Sequence, residues 1–287
     1  MDIVEYINHY AFQPLINESR KPGSFHPSSA SALIKNPWDE LEPVGKCLRA
    51  QYYSMKGIGP DAPTDASGMR KMNYGTLIHK YETERLRNLP VRVQGDIRFY
   101  DSVRNISGEV DVIMEDPRSK AEPKPLIGIE YKTISGYPAK KLINPKTLMK
   151  ERPEHVLQIL VYAEFFKHPV NGYLTWFLIY VDRGTGETFS HTIIPTENGV
   201  SVNGELYSVT VKDVYKRWDT LKYHVESDVL PERDYDIKYS QEKLDKMAER
   251  QLLSKTDVEM IRKGRYPDKS DWQCNFCSHK LKCWSTT

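Results

Sequence analysis

The spacing of apolar positions predicts helices in the first third of the chain. A serine pair at 28–29 can cap a short helix that should end before Pro37, and residues 45–55 are typical of a second short helix or a turn. After a loop at 57–68, residues 69–89 have helical apolar spacing. The side of this helix that we expect to be buried carries Leu77, Ile78, Tyr81 and Leu86.

The middle of the chain alternates apolar and polar residues and predicts a section of strands. Period-two alternation marks residues 91–100 and 105–116. Residues 125–135 form a short β-rich run after a proline-rich break. A proline then opens a strongly apolar helix at 153–168.

Beyond that helix the pattern predicts a hairpin and then further helices. Segments 171–182 and 187–195 are β-rich and joined by Arg-Gly-Thr-Gly, which is typical of a hairpin. A helix at 209–227 has one apolar face, and a charged helical insertion at 241–263 follows it. The apolar face carries Val211, Val214, Trp218, Leu221 and Val225.

The order of these elements suits a mixed α/β core flanked by helices. We expect the N-terminal and C-terminal segments to pack on one another. We therefore divide the chain into an N-terminal helical segment at 1–70, a core at 71–228 and a C-terminal helical, cysteine-rich segment at 229–287.

Composition narrows the possible partners. The chain has 287 residues, 39% of them apolar, which is enough to bury a sizeable core. Its 41 Lys and Arg nearly balance its 39 Asp and Glu, so any nucleic-acid surface has to be local. No apolar run approaches the roughly 18 residues of a membrane helix, and the opening residues lack the pattern of a signal peptide. These features predict a cytoplasmic protein without a membrane partner, or one of the host cytoplasm if a virus encodes it.

Two acidic residues and a lysine stand out in the predicted strands. Glu130 and Lys132 alternate along one strand and share a face, and Asp111 shares a face of the preceding strand with Glu109. If these strands pair, Asp111 and Glu130 converge on one hard cation such as Mg²⁺ or Mn²⁺. Lys132 could then orient or deprotonate an attacking water. The ordinary alternative is a solvated strand face with a surface ion pair.

Three polar residues accompany this set in the flanking helices. His79 lies in the helix before the strands. Gln158 and Tyr162 lie on one face of the helix after them, because they are four residues apart. Taken singly, a helical histidine is usually packed or solvent-facing, and a Gln–Tyr pair usually flanks a helix. Their order relative to the carboxylates is what favours a functional site.

In that order the chain resembles the RecB-type branch of the PD-(D/E)XK nucleases. The resemblance rests on His79, Asp111 within GEVD, Glu130-x-Lys132 and Gln158-x-x-x-Tyr162. It extends to the opening HPSSASALIKN and to CLRAQYY, and it covers roughly residues 28–180 and 272–284. It implies a restriction-endonuclease-like fold, with a mixed sheet flanked by helices, and metal-dependent hydrolysis of phosphodiester bonds.

The resemblance also implies roles for these residues. Lys132 would position or activate the attacking water, while Gln158 and Tyr162 would hold that lysine and the scissile phosphate. The implied ligands of Mg²⁺ or Mn²⁺ are Asp111, Glu130, the carbonyl of Tyr131 and His79. The implied catalytic residues are Asp111, Glu130, Lys132, Gln158 and Tyr162.

A basic stretch follows the strand that carries Lys132. Lysines there would release counterions from DNA and make binding salt-dependent. The neighbouring Tyr137 can stack on a base of a single strand. The alternative is a solvated loop, and DNA is preferred over RNA only by the resemblance. The predicted DNA-binding residues are Lys140, Lys141, Lys146, Lys150 and Arg152.

Three of the four cysteines lie close together near the C-terminus, as Cys-x2-Cys-x5-Cys. Thiols at this spacing in a non-secreted protein are typical of a metal site, and both zinc and iron–sulfur clusters require four ligands. The fourth candidate is Cys47. The alternative is a zinc ion bound with His279, with Cys47 as a small buried residue. The candidate thiolate set is Cys47, Cys274, Cys277 and Cys283.

One distant cysteine followed by a C-terminal triplet resembles the iron–sulfur nucleases. These include the CRISPR-associated Fe–S exonucleases and the nuclease domain of AddB-type helicase–nucleases. The resemblance implies a 4Fe–4S cluster that joins the two terminal segments, and an exonuclease acting on single-stranded DNA or DNA ends. The sequence contains no phosphate-binding loop of a helicase motor. We therefore expect a stand-alone enzyme or one with a helicase, recombination or CRISPR partner. The alternatives are a non-catalytic subunit that binds DNA ends or single strands, with a structural Fe–S or zinc site, and a structural zinc protein.

Overall fold

A computed structural model describes residue 21 and residues 23–62, 64–168 and 172–285. The start of the predicted segment 1–70, the first residue of the predicted strand 171–182 and the last two residues of the chain lie outside the described residues. The strands are β1 (Ser31–Lys35), β2 (Leu41–Gly45), β3 (Val93–Asp101), β4 (Ile106–Glu115), β5 (Leu126–Ile134), β6 (Thr175–Asp182), β7 (Thr188–Thr196), β8 (Gly199–Val202) and β9 (Glu205–Tyr207). The α-helices are α1 (Leu48–Met55), α2 (Ala66–Leu86), α3 (Tyr137–Leu142), α4 (Leu148–Glu151), α5 (Pro153–Phe165), α6 (Val211–Ser227), α7 (Gln241–Glu249), α8 (Lys255–Arg262), α9 (Trp272–Asn275) and α10 (Lys280–Ser285). Among these described helices, none combines the length and the apolar character needed to cross a bilayer.

The larger sheet has seven strands in the order β3-β4-β5-β6-β7-β8-β9. Its strands are antiparallel except for β5 and β6, which are parallel. A parallel pair needs a long crossover connection, and here the crossover contains α3, α4 and α5. The apolar side chains of α5 pack on the sheet in the main hydrophobic cluster, where Leu157 joins Leu178 and Trp176 among the fully buried residues. The predicted mixed α/β core, a sheet flanked by helices, is confirmed.

The strands at the far edge of this sheet have no counterpart in the sequence prediction. Residues 199–207 form β8 and β9, which pair with each other in antiparallel fashion. The two strands are joined by Asn203 and Gly204, whose φ angles are 52° and 86°. An Asn-Gly pair with positive φ at both positions is the usual signal of a two-residue hairpin turn. The signal is present in the sequence, but the flanking strands are too short to show clear alternation.

The predicted helix that begins at the serine pair 28–29 is wrong. The serines lie in a short 3-10 turn (Pro27–Ser29), and β1 follows, paired with β2 in a two-stranded antiparallel sheet. The end of β2 approaches the start of β1 so closely that a methyl group at Gly45 would lie 2.3 Å from the carbonyl oxygen of Ala30. Ala32 is fully buried. Tertiary packing of these small residues therefore decides in favour of a strand.

The helix α2 is present as predicted, but part of its expected buried side is wrong. Ile78 and Leu86 pack against the second hydrophobic cluster. In contrast, Leu77 is 59% exposed and Tyr81 is 63% exposed. The side of α2 that faces the sheet instead carries the small buried residues Gly75 and Thr83. The helix is therefore rotated relative to the expectation from apolar spacing.

The terminal segments pack on one another beside α6. The predicted apolar face of α6 is confirmed, because Val214, Trp218 and Leu221 are buried. On this side α1 contributes Leu48, Tyr52 and Tyr53 to a hydrophobic cluster with Leu221, and Cys283 of α10 packs against it. The main-chain N–H of Asp61 donates a hydrogen bond to the carbonyl of Ser278 at 2.9 Å.

Candidate active site

The predicted catalytic carboxylates lie where β4 and β5 part from each other. The two strands pair from Glu115–Leu126 up to Val112–Ile129, and the next residues along them are Asp111 and Glu130. The carboxylate of Asp111 occupies the gap, and its Oδ2 accepts a hydrogen bond from the main-chain N–H of Tyr131 at 2.7 Å. The two carboxylates are near enough for the charge of Asp111 to act on Glu130.

His79 reaches this gap because α2 lies very close to the sheet. A methyl group at Gly75 would lie 3.2 Å from Thr133 Oγ1, and one at Gly95 would lie 2.4 Å from Thr83 Cγ2. His79 lies one helical turn from each of these contacts, on the same side of α2. Its Nδ1 is 3.5 Å from Asp111 Oδ2. Small residues on α2 and β3 therefore place the predicted histidine beside the predicted aspartate.

From the other side, α5 supplies Gln158 and Tyr162. The amide nitrogen of Gln158 donates hydrogen bonds to Glu130 Oε1 at 2.8 Å and to the Tyr162 hydroxyl at 2.7 Å. The Tyr162 hydroxyl in turn donates to the main-chain carbonyl of Glu109 at 2.9 Å. Gln158 and Tyr162 therefore connect β5 to β4 across the gap.

Lys132 forms an ion pair with Glu130, its neighbour on the same face of β5. The distance from its Nζ to Glu130 Oε1 is 2.5 Å. The resemblance implies that Gln158 holds the lysine, whereas here the amide donates to the carboxylate that binds the lysine. Gln158 thus acts on Lys132 only through Glu130.

Burial and like charge make Glu130 an unusual carboxyl group. The residue is 2% exposed, and its Oε2 has no hydrogen-bond partner among the residues that the structure describes. Burial first, and then the negative charge of Asp111, raise the pKa of Glu130 to about 7. Lys132 opposes this shift but does not cancel it.

Asp111 and His79 shift the pKa of each other. Burial opposes ionisation of Asp111, but the hydrogen bond from His79 and the charges of His79 and Lys132 lower the pKa of this carboxyl. Burial likewise opposes the charged form of His79, yet Asp111 raises the pKa of the imidazole. Asp111 is therefore held as a carboxylate.

The donor atoms around the gap determine whether it can hold a divalent ion. Within the described ranges, no three or more His, Cys, Asp or Glu side chains are already grouped around a single metal position. The polar atoms here bind each other: Asp111 binds His79 and Tyr131, and Glu130 binds Lys132. The unpartnered Glu130 Oε2 and two adjacent carboxylates are nevertheless the donors that Mg²⁺ or Mn²⁺ prefers. The donor set therefore fits a hard cation, and the carbonyl of Tyr131 stays a predicted ligand.

The predicted DNA-binding stretch is a series of short helices between β5 and α5. Lys140, Lys146 and Lys150 have exposed side chains. Lys141 instead binds Glu151, with an Nζ–Oε2 distance of 3.1 Å. The fifth predicted residue, Arg152, places its guanidinium 4.8 Å from the ring centre of Trp272.

The four cysteines line one pocket between the terminal segments. Cys47, Cys274, Cys277 and Cys283 are among the residues that line this pocket, and all four are free thiols. Burial and the neighbouring charges of Cys47, Asp271, Cys277 and Cys283 raise the pKa of Cys274 to about 12. Among the described residues, these four side chains are not already arranged as a metal-binding group.

The lining of this pocket separates the two candidate ligand sets. His279 does not line the pocket. Its Nε2 is 3.4 Å from Ser54 Oγ, and its ring centre is 5.3 Å from that of Tyr53. The pocket lining therefore includes the four cysteines of the first candidate set and does not include His279.

One residue beside the site is absent from the set that the sequence predicts. His155 precedes Gln158 by three positions and Tyr162 by seven, so all three lie on one face of α5. Its Nδ1 is 2.6 Å from the hydroxyl of Tyr180 on β6. Helical spacing relative to Gln158 is the sequence signal that could have identified it.

Comparisons with known proteins give little further information. No protein-family model matches the chain, and no curated protein matches it. One solved structure, described as the crystal structure of SSO0001, is similar with a TM-score of 0.42 and 12% sequence identity. The similarity covers 99% of this chain and 96% of the other. At this level it supports no conclusion about fold or function.

Proposed function

We propose that the protein is a metal-dependent DNA exonuclease of the PD-(D/E)XK type, which acts on single-stranded DNA or DNA ends. The observation that carries this proposal is the state of Glu130. Its Oε2 is buried without a partner among the described residues, next to the carboxylate of Asp111 and beside Lys132. A buried acceptor of this kind costs free energy unless a ligand satisfies it.

Asp111, Glu130, His79 and the carbonyl of Tyr131 would hold the Mg²⁺ or Mn²⁺ ion. When bound, such an ion supplies charge stabilisation at the phosphoryl group and a water of lowered pKa. Lys132 orients the attacking water and offsets negative charge on the phosphate. Gln158 keeps the carboxylate of Glu130 in one orientation, and Tyr162 keeps the main chain of β4 in place.

The basic face beside the site supports a polyanionic substrate. Lys140, Lys146 and Lys150 are exposed on the segment that follows β5, and Tyr137 is 71% exposed in the same segment. Lysines bind phosphates and release counterions, while an exposed aromatic ring stacks on an unpaired base. This combination favours a single strand or a frayed end.

The cysteine pocket supports a 4Fe–4S cluster as the second cofactor. Four free thiols from both terminal segments line it, and cationic Arg233 and Lys280 line it as well. Such a cluster with four thiolates is anionic, so cationic neighbours match its charge. It would hold the two ends of the described chain together beside α6.

The decisive experiment is cleavage of end-labelled single- and double-stranded DNA with Mn²⁺, Mg²⁺ or EDTA. We expect products that need a divalent ion and that are absent with the Lys132→Ala variant. Retained DNA binding without cleavage by cluster-replete wild type would instead favour the non-catalytic binding subunit. A requirement for an added helicase or recombination protein would identify the missing partner.

A further inference from the structure

One face of α5 touches three successive strands of the sheet. Tyr162 donates to a carbonyl of β4, Gln158 donates to Glu130 of β5, and His155 contacts Tyr180 of β6. His155 precedes Gln158 by three residues and Tyr162 by seven, so the three side chains lie on one face of the helix. His155 therefore contacts β6 in the same way that Gln158 contacts β5.

The contact with Tyr180 brings His155 to the neighbourhood of Lys132. Tyr180 is paired in register with Lys132 across the parallel strands β5 and β6, so their side chains share a face about 4.8 Å apart at the backbone. The side chain of His155 is 21% exposed, and that of Lys132 is 20% exposed. Both therefore remain accessible from the same side of the sheet.

The hydrogen bonds of Tyr180 decide the tautomer of His155. Tyr180 is fully buried, and among the described residues its hydroxyl has no hydrogen-bond partner other than His155 Nδ1. A buried hydroxyl donates its proton when an acceptor is present. The Tyr180 hydroxyl therefore donates to Nδ1, and the imidazole carries its own proton on Nε2. The distance from Nε2 to Glu154 Oε1 is 4.0 Å, which is beyond hydrogen-bond distance.

The surroundings keep this imidazole neutral. Burial first, and then the positive charges of Lys132 and Arg152, hold the pKa of His155 well below its usual value. Glu154, which also lies near, has a raised pKa because it is buried. A neutral imidazole with hydrogen on Nε2 is a fixed donor that does not carry charge.

We propose that His155 is a phosphate-binding residue of the active site, which donates a hydrogen bond from Nε2 to a non-bridging oxygen of the DNA strand beside Lys132. This inference rests on the proposed function and extends it. The donor supplements the charge of Lys132 with a directed hydrogen bond. Tyr180 is then a positioning residue, because it acts only by orienting the imidazole.

Two conservative variants separate substrate binding from the contact with Tyr180. In His155→Asn the amide can replace Nδ1 and accept from Tyr180, but it cannot reach the position of Nε2. In His155→Gln the amide nitrogen can replace Nε2 as donor. The affinity of each variant for fluorescein-labelled oligothymidylate is measured with Ca²⁺, which replaces the ion needed for cleavage. We expect about 10-fold weaker binding or more for His155→Asn and at most about threefold for His155→Gln, as for a hydrogen bond to a charged group.

A second measurement reports the tautomer of His155 and does not depend on a difference in DNA affinity. Long-range proton–nitrogen NMR of the wild type, with the His155→Asn spectrum for assignment, gives the tautomer directly. We expect the Nε2–H form at neutral pH and a shift of its resonance on addition of oligothymidylate. An Nδ1–H tautomer, a protonated ring, or His155→Asn binding as tightly as the wild type would overturn the inference.

The two proposals fail in different ways. If wild type cleaves DNA and both variants cleave and bind equally well, the role of His155 is wrong while the nuclease stands. If wild type does not cleave with Mn²⁺, either alone or with an added helicase or recombination protein, but the NMR and binding results are as expected, the phosphate-binding role stands while the nuclease is wrong. Wild type that binds no oligothymidylate would overturn both.

Discussion

The side-chain amide of Gln158 donates a hydrogen bond to Glu130 Oε1 at 2.8 Å, in a contact that is buried on both sides. The same nitrogen donates to Tyr162, which donates to the carbonyl of Glu109. One helix face therefore fixes a predicted catalytic carboxylate and the strand opposite it. Gln158 and Tyr162 accordingly fix one side of the Glu130 carboxylate, while its Oε2 has no hydrogen-bond partner among the described residues.

Replacement of Lys132 by alanine should abolish cleavage and leave the fold intact. Lys132 is the cationic side chain paired with Glu130, and general acid–base or water-orienting groups contribute about 10²- to 10⁴-fold to rate. Single-turnover cleavage and thermal unfolding measure the two effects. The control is Lys222→Ala, which removes an exposed lysine of α6 outside the basic stretch. Cleavage at the wild-type rate by Lys132→Ala would show that the site lies elsewhere.

Glu130→Gln should stabilise the metal-free protein at high pH. A carboxyl with a folded pKa of about 7 and an ordinary pKa of 4.5 binds more protons when folded. Its contribution to stability is therefore present below pH 4.5 and is lost as the pH rises through 7. The loss amounts to about 3 kcal/mol. Urea titrations in EDTA measure the unfolding free energy at each pH. Between pH 4.5 and 8 this free energy should fall for the wild type and change less for Glu130→Gln. An equal dependence on pH in the two proteins would contradict the pKa shift.

Tyr162→Phe should destabilise the protein without removing any predicted metal ligand. The substitution leaves the Glu109 carbonyl without its donor and removes a partner of Gln158. The expected loss is about 1–3 kcal/mol of unfolding free energy. Urea unfolding measures it. Tyr223→Phe is the matched control, because Tyr223 is 64% exposed. An equally large loss of unfolding free energy in this control would point to a general effect of replacing tyrosine by phenylalanine.

Cys47→Ser should remove the cofactor of the cysteine pocket and lower stability. Cys47 and the C-terminal triplet line one pocket, and a link between such distant residues is worth about 5 kcal/mol in the chain-entropy model. Iron, sulfide and zinc contents, visible absorption and thermal unfolding are the measurements. His279→Gln is the control and should keep its metal content. Loss of zinc in that control, with no iron in the wild type, would identify a zinc site.

The exposed lysines of the basic stretch should set the salt dependence of DNA binding. Lys140, Lys146 and Lys150 replaced together by alanine should reduce the slope of log affinity against log salt by about two for a single strand. Fluorescence anisotropy at several salt concentrations gives the slope. A control that removes Lys212, Lys216 and Lys222 from α6 loses the same charge elsewhere. Equal slopes for both triple variants would show that the basic stretch does not contact the DNA.

Much of the fold follows from local patterns, and the exceptions have identifiable causes. The strands β3 to β7 and the helix α5 are predictable because alternation and helical spacing reflect which neighbours share a face. The strand β1 and the rotation of α2 are not, because small residues such as Gly45 and Gly75 decide them by allowing close approach. Small residues carry little signal in a pattern of apolar and polar positions.

The sequence by itself brought His79, Asp111, Glu130, Lys132 and Gln158 together as candidates, because they follow one another in an order that the chain alone displays. The tertiary structure alone decided how they meet. The pairing of β4 with β5 ends at Val112, which opens the gap, and the parallel register of β6 sets Tyr180 and His155 beside Lys132. Local spacing records which residues share a face, whereas strand register depends on contacts between distant segments.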